Sequence, residues 1–152
     1  IYNHELRLNS NKYLQIDKDL IPTGKTNSVK NSIYDFLKFQ NLGKKLNFFK
    51  NKKIDLKHKG FDTTYIVKKN SRNFVGSLKN KISNIQVNFF SNLPGVQLYS
   101  AQNLNYKKKL FPYNGICLET QYFPDTPNKK NFPSTLIKAN KRYTCFTKIK
   151  IY

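Results

Sequence analysis

Through most of the chain, apolar and polar residues alternate with a period of two. Leu6 and Leu8 share a side with His4, while Glu5 and Arg7 take the other. Ile85, Val87 and Phe89 stand opposite Gln86 and Asn88, and Ile116, Leu118 and Thr120 stand opposite Cys117, Glu119 and Gln121. Successive side chains of an extended strand point to opposite faces, so each run predicts a β-strand with one packed side. Residues 13–17, 65–67 and 96–99 predict three more, with Gln97 and Tyr99 on one face of the last. Residues 143–152 predict a closing strand with Cys145, Thr147, Ile149 and Ile151 together. Leu20-Ile21-Pro22-Thr23-Gly24 and Asn92-Leu93-Pro94-Gly95 have the residues of turns, and Pro124 and Asp125 end the strand that carries Glu119. Helical spacing shows only at Ile33, Phe36 and Leu37, which predicts one short helix within residues 32–46. The lysine-rich run 44–59 reads as a solvated loop. No repeat, heptad or linker divides the chain, so residues 1–152 read as part of a single domain without an internal boundary. Many short strands joined by turns predict an all-β, mainly antiparallel sandwich or barrel.

Composition changes this picture in three places. The chain of 152 residues starts on Ile1 and contains no Met, which reads as part of a larger protein. Lys and Arg number 28 against 8 Asp and Glu, a formal charge of +20. Such a balance invites a nucleic-acid or polyanion binder. However, only Arg7, Arg72 and Arg142 are arginines, and base-edge readout and bidentate phosphate clamps favour the arginine fork. Lys, Asn, Ile, Phe and Tyr all have AT-rich codons, so genome composition accounts for the lysines and no nucleic-acid partner is expected. Cys117 and Cys145 make neither a disulfide framework nor a zinc spacing, and read as reduced thiols. No apolar run spans a bilayer and no signal-peptide pattern is visible, which points to the cytoplasm.

Candidate chemistry is sparse. The glycines form no phosphate loop, His4 and His58 lack a metal frame, and no serine sits in a nucleophile elbow. No metal or cofactor is expected. What is left is a strand histidine, His4, a strand carboxylate, Glu119, and polar residues beside turns. Glu119 reads either as an outward strand residue paired with a lysine or as a general base on a rigid strand. Asp62 reads equally well as a turn residue, and Gln97 as a polar strand residue.

Six runs carry a resemblance. They are Asn3-His4-Glu5-Leu6, Leu20-Ile21-Pro22-Thr23-Gly24, Gly60-Phe61-Asp62, Pro94-Gly95-Val96-Gln97-Leu98-Tyr99, Cys117-Leu118-Glu119-Thr120-Gln121-Tyr122-Phe123-Pro124-Asp125 and Asn131-Phe132-Pro133-Ser134. In this order, across nearly the whole chain, they resemble the galactose mutarotase, or aldose 1-epimerase, family. The resemblance implies a large antiparallel β-sandwich, of which this chain is the C-terminal half, with an aldose bound on an open face. It implies Glu119 as general base, His4 as general acid, and Asp62 and Gln97 as partners of sugar hydroxyls. The implied reaction interconverts the α and β anomers of hexoses such as galactose and glucose, without a cofactor. Family members usually carry His or Asn after the Gly-x-Asp run, where this chain has Thr63 and Thr64, which puts hydroxyl contacts near Asp62 in question. An upstream Arg and an Asn-His-x-x-Phe-Asn motif that help hold the sugar in the family are not in this sequence, so the chain by itself is expected to be almost inactive. A sugar-binding relative without catalysis would keep Asp62 and Gln97 and dispense with His4 and Glu119. A basic polyanion-binding module is the other alternative.

Overall fold

The computed structural model describes residues 1–50 and 58–152. Among these residues ten strands form two five-stranded sheets. They are β1 (His4–Leu8), β2 (Lys12–Ile16), β3 (Pro22–Ser28), β4 (Gln40–Asn41), β5 (Asp62–Ile66), β6 (Phe74–Asn80), β7 (Ile85–Ser91), β8 (Gly95–Tyr99), β9 (Cys117–Gln121) and β10 (Thr147–Ile151). The first sheet runs β10-β7-β6-β1-β4 and the second β3-β2-β5-β8-β9. Every pairing is antiparallel. The fold is an all-β antiparallel sandwich, as the alternation predicts.

The core explains the layering. Leu6 and Leu8 of β1 and Val75 of β6 meet Tyr65 of β5 and Val96 and Leu98 of β8 in one buried cluster. Phe36, Phe49 and Phe61 fill its middle, with Phe61 ring centroids 5.3 Å from Phe36 and 5.2 Å from Phe49 in edge-to-face contact. Such geometry sets the positive ring edge against the negative face. The edge strands β9 and β10 touch through the hydroxyls of Thr120 and Thr147.

Four local expectations are corrected. The run from residue 44 is not all loop: a helix, α1 (Leu42–Lys50), covers its start. Asn41 Oδ1 accepts from the Lys44 N–H at 2.9 Å and so caps the helix, and Leu42, Leu46 and Phe49 make its buried stripe. The short helix expected within 32–46 therefore sits later, and residues 51–57 of the expected loop lie outside the described residues. The turn expected at residues 20–24 is tighter and earlier. Asp17 Oδ1 accepts from the N–H groups of Asp19 and Ile21, and β3 already starts at Pro22. The closing strand begins only at Thr147. Finally, β6 was not foreseen. A bulge between Phe74 and Gly76 breaks its alternation, and a Cβ on Gly76 would lie 2.6 Å from the Arg7 carbonyl oxygen.

Candidate active site

Register on the second sheet sets the site. Val96 and Leu98 of β8 face the core, so Gly95, Gln97 and Tyr99 face outward. The pairs Asp62–Tyr99 and Tyr99–Cys117 make one row across β5, β8 and β9. Thr64–Gln97 and Gln97–Glu119 make the next, and Ile66–Gly95 and Gly95–Gln121 the third. Adjacent strands lie about 4.8 Å apart, so these rows form a platform about 10 Å across the three strands.

Each motif has a physical task here. In Gly60-Phe61-Asp62, a Cβ on Gly60 would run into the side chains of Ser100 and Gln102, which come close enough only because none is present. Phe61 is fully buried, its N–H held by Ser100 Oγ at 2.8 Å, and alternation then turns Asp62 to the outer face. The run after β9 walls the platform. Phe123 and Phe132 stack edge to face at 5.2 Å and bury Leu14 and Ile66 against the sheet. Asn131 Nδ2 donates to the Gly24 carbonyl at 2.6 Å, and Lys129 pairs with Asp125 at 3.0 Å, which fastens that wall to β3 and to itself. A cavity of about 580 Å³ lies behind the wall, lined by Ile66, Lys68, Phe123 and Phe132 among others; neither Asp62 nor Glu119 reaches it.

Asp62, Gln97 and Glu119 are brought together. Gln97 Nε2 donates to Asp62 Oδ1 at 2.6 Å, and Glu119 stands directly opposite Gln97 on the edge strand. Burial pushes the Asp62 carboxyl above its usual value, and the Gln97 bond works against that shift. Cys117 feels the same face: burial raises its thiol pKa, and the charges of Glu119 and Asp62 raise it further. Among the described residues neither Glu119 nor Asp62 has a cation partner, the ion pairs there being Glu5 with Lys79 and Lys81, and Asp125 with Lys129.

The structure does not bring His4 to this group. His4 opens β1 in the first sheet and shares a side with Leu6 and Leu8, so it faces the space between the sheets. Its Nε2 lies 3.4 Å from Asn80 Nδ2, and its buried Nδ1 has no hydrogen-bond partner. Burial lowers its pKa, the Ile1 amino group lowers it further, and the nearby Ile1 backbone opposes both. Glu119 faces away from that space, on the far side of the second sheet. Sequence reading also missed Thr64, whose Oγ1 donates to Gln97 Oε1 at 2.5 Å. Among the described residues no three His, Cys, Asp or Glu side chains gather as a metal site would require. No helix there is long and apolar enough to cross a membrane.

The family model described as aldose 1-epimerase matches residues 1–150. The chain belongs to the aldose 1-epimerase family. Galactose mutarotase of Pongo abelii is 31% identical over 150 residues, which cover 94% of this chain and 42% of that protein. Galactose mutarotase of Mus musculus is 31% identical over 157 residues, 99% of this chain and 44% of the relative. The crystal structure of an aldose epimerase homologue from C. elegans superposes with a TM-score of 0.82 at 21% identity, covering all of this chain and 45% of that one. The chain thus spans less than half the length of these relatives, consistent with the C-terminal half implied by its motifs.

Proposed function

We propose that the protein to which this chain belongs interconverts the α and β anomers of an aldohexose such as galactose or glucose, and that the outer face of the second sheet is its base-bearing half-site. One observation carries the reading. In a chain with 28 Lys and Arg, two carboxylates share a sheet face around a hydrogen-bonded amide, and among the described residues neither is paired with a cation. A surface carboxylate among lysines would be expected to pair or to stand alone. Two such groups flanking an amide form an array of acceptors and donors suited to neutral hydroxyls.

Glu119 is the proposed base. It takes the proton of the C1 hydroxyl as the C1–O5 bond of the hemiacetal breaks, and the ring oxygen takes up a proton in exchange. Rotation about C1–C2 then presents the other face of the aldehyde, and reclosure returns both protons. Asp62 and Gln97 hold ring hydroxyls so that only this end of the sugar moves. The acid that serves the ring oxygen has to reach the outer face, and His4, on the inner side of the other sheet, is not placed to do so.

The test is Glu119→Gln in the full-length protein, followed by polarimetry on freshly dissolved α-galactose and corrected for spontaneous mutarotation. General bases contribute about 10²–10⁴-fold, so the catalysed rate should fall within that range while sugar affinity changes little. Turnover at the wild-type rate would remove Glu119 from the mechanism. Sugar binding without turnover in the wild-type protein would leave a binding relative in place of an enzyme.

A further inference from the structure

Thr64 stands where the sequence departs from the usual family pattern, and the structure gives that position a definite task. It begins the row that runs through Gln97 to Glu119, and only 4% of its surface is exposed. Its Oγ1 donates to Gln97 Oε1 at 2.5 Å, while Gln97 Nε2 donates to Asp62 Oδ1 at 2.6 Å. Charge sets the direction of both bonds. An ionised carboxylate only accepts, so the amide nitrogen has to face Asp62 and the amide oxygen has to face Thr64. The hydroxyl, opposite an acceptor, has to donate.

Sterics hold that hydroxyl in place. A Cβ on Gly95 would lie 3.1 Å from Thr64 Cγ2 and 3.1 Å from Phe123 Cδ1. The threonine methyl therefore packs over the bare backbone of Gly95, beside the Phe123 ring. A β-branched side chain has few χ1 wells, and seating the methyl there turns the hydroxyl toward Gln97. Serine would keep the donor and lose the seat, whereas valine would keep the seat and lose the donor.

We infer that Thr64 is the positioning residue of the hydroxyl-binding half of this site: it locks the Gln97 amide in the one orientation that serves Asp62, leaving Asp62 Oδ2 and the second Gln97 N–H to the ligand. Among the described residues neither of those two groups has another partner. Thr64 touches Gln97 and not the sugar, so it acts through its neighbour. The inference rests on the reading of Asp62 and Gln97 as sugar-binding residues.

Thr64→Val and Thr64→Ser in the full-length protein test it. Valine leaves the half-buried Gln97 amide oxygen against a methyl group, a loss on the order of tenfold in binding. The loss should appear in KM with kcat nearly unchanged, because Asp62 and Gln97 hold the ground state and the transition state alike. Serine should recover most of it. A second readout needs no turnover: the two Gln97 side-chain N–H resonances, one bonded to Asp62 and the other without a partner among the described residues, should shift and draw together in Thr64→Val and return in Thr64→Ser. Wild-type KM and wild-type Gln97 resonances in Thr64→Val would overturn the inference, as would Thr64→Ser behaving like Thr64→Val. If the wild-type protein proves not to be an epimerase while the resonances respond as expected, the positioning role stands and the proposed reaction falls.

Discussion

His4 and Asp62 show what a single side chain discloses and what it conceals. Alternation correctly assigns His4 to the side of β1 that carries Leu6 and Leu8, but says nothing of which sheet β1 joins. That depends on pairing with β6, more than seventy residues away, and so the distance between His4 and Glu119 is invisible in the sequence. If the two sit on opposite sides of the second sheet, their effects are independent. The rate losses of His4→Asn and Glu119→Gln should then multiply in the double variant; a clearly smaller combined loss would put the imidazole beside the carboxylate. Asp62 makes a prediction with a sign. Its folded pKa is raised above the ordinary 3.8 by burial, so the folded state holds the proton more tightly than the unfolded chain does. The wild type therefore loses stability as pH rises through the window between 3.8 and the raised value. Asp62→Asn should be more stable than wild type above that window and equal to it well below, by urea titration at each pH, while binding sugar less tightly at neutral pH. A residue whose loss stabilises the fold and weakens binding is serving the ligand.

Legibility among the elements followed the regularity of their environment. The alternation of β7, β8 and β9 is plain in the chain, and in β8 it matches burial, with Val96 and Leu98 packed and Gln97 and Tyr99 half-buried. α1 was hidden because Lys44, Lys45 and Lys50 surround its stripe of Leu42, Leu46 and Phe49, and the run read as charge before it read as period. β6 was hidden by its bulge. Thr64 shows in the sequence only as a departure from the family pattern; its task is hidden, since its partner Gln97 comes from another strand and only the register places them side by side. The paired phenylalanines show the reverse case, where the motif was visible and its task was not. Phe132→Ala should cost about 3 kcal/mol, the usual loss for a packed aromatic ring, measured by chemical denaturation. It should also weaken sugar binding, because the ring supports Phe123, and Phe123 closes over Gly95 and the Thr64 methyl.

Taken whole, the molecule carries a large positive charge that the site makes no use of. The described ion pairs lie at Glu5, on the other sheet, and at Asp125, in the wall after β9, and none of them engages Asp62 or Glu119. The same face also holds Cys117, and this gives the protein a chemical reporter. These 152 residues contain no tryptophan, so within them indole fluorescence cannot follow a sugar onto the platform. They do contain two thiols in unlike settings. Cys145 is exposed, whereas Cys117 is half-buried in the row of Asp62 and Tyr99, where burial and two carboxylates hold back its thiolate. An alkylating reagent reacts with thiolate, so it should label Cys145 quickly and Cys117 slowly. A sugar lying across the rows should slow Cys117 further and leave Cys145 alone. The ratio of the two labelling rates, read by mass spectrometry of the full-length protein against sugar concentration, then becomes an occupancy scale with its own internal clock.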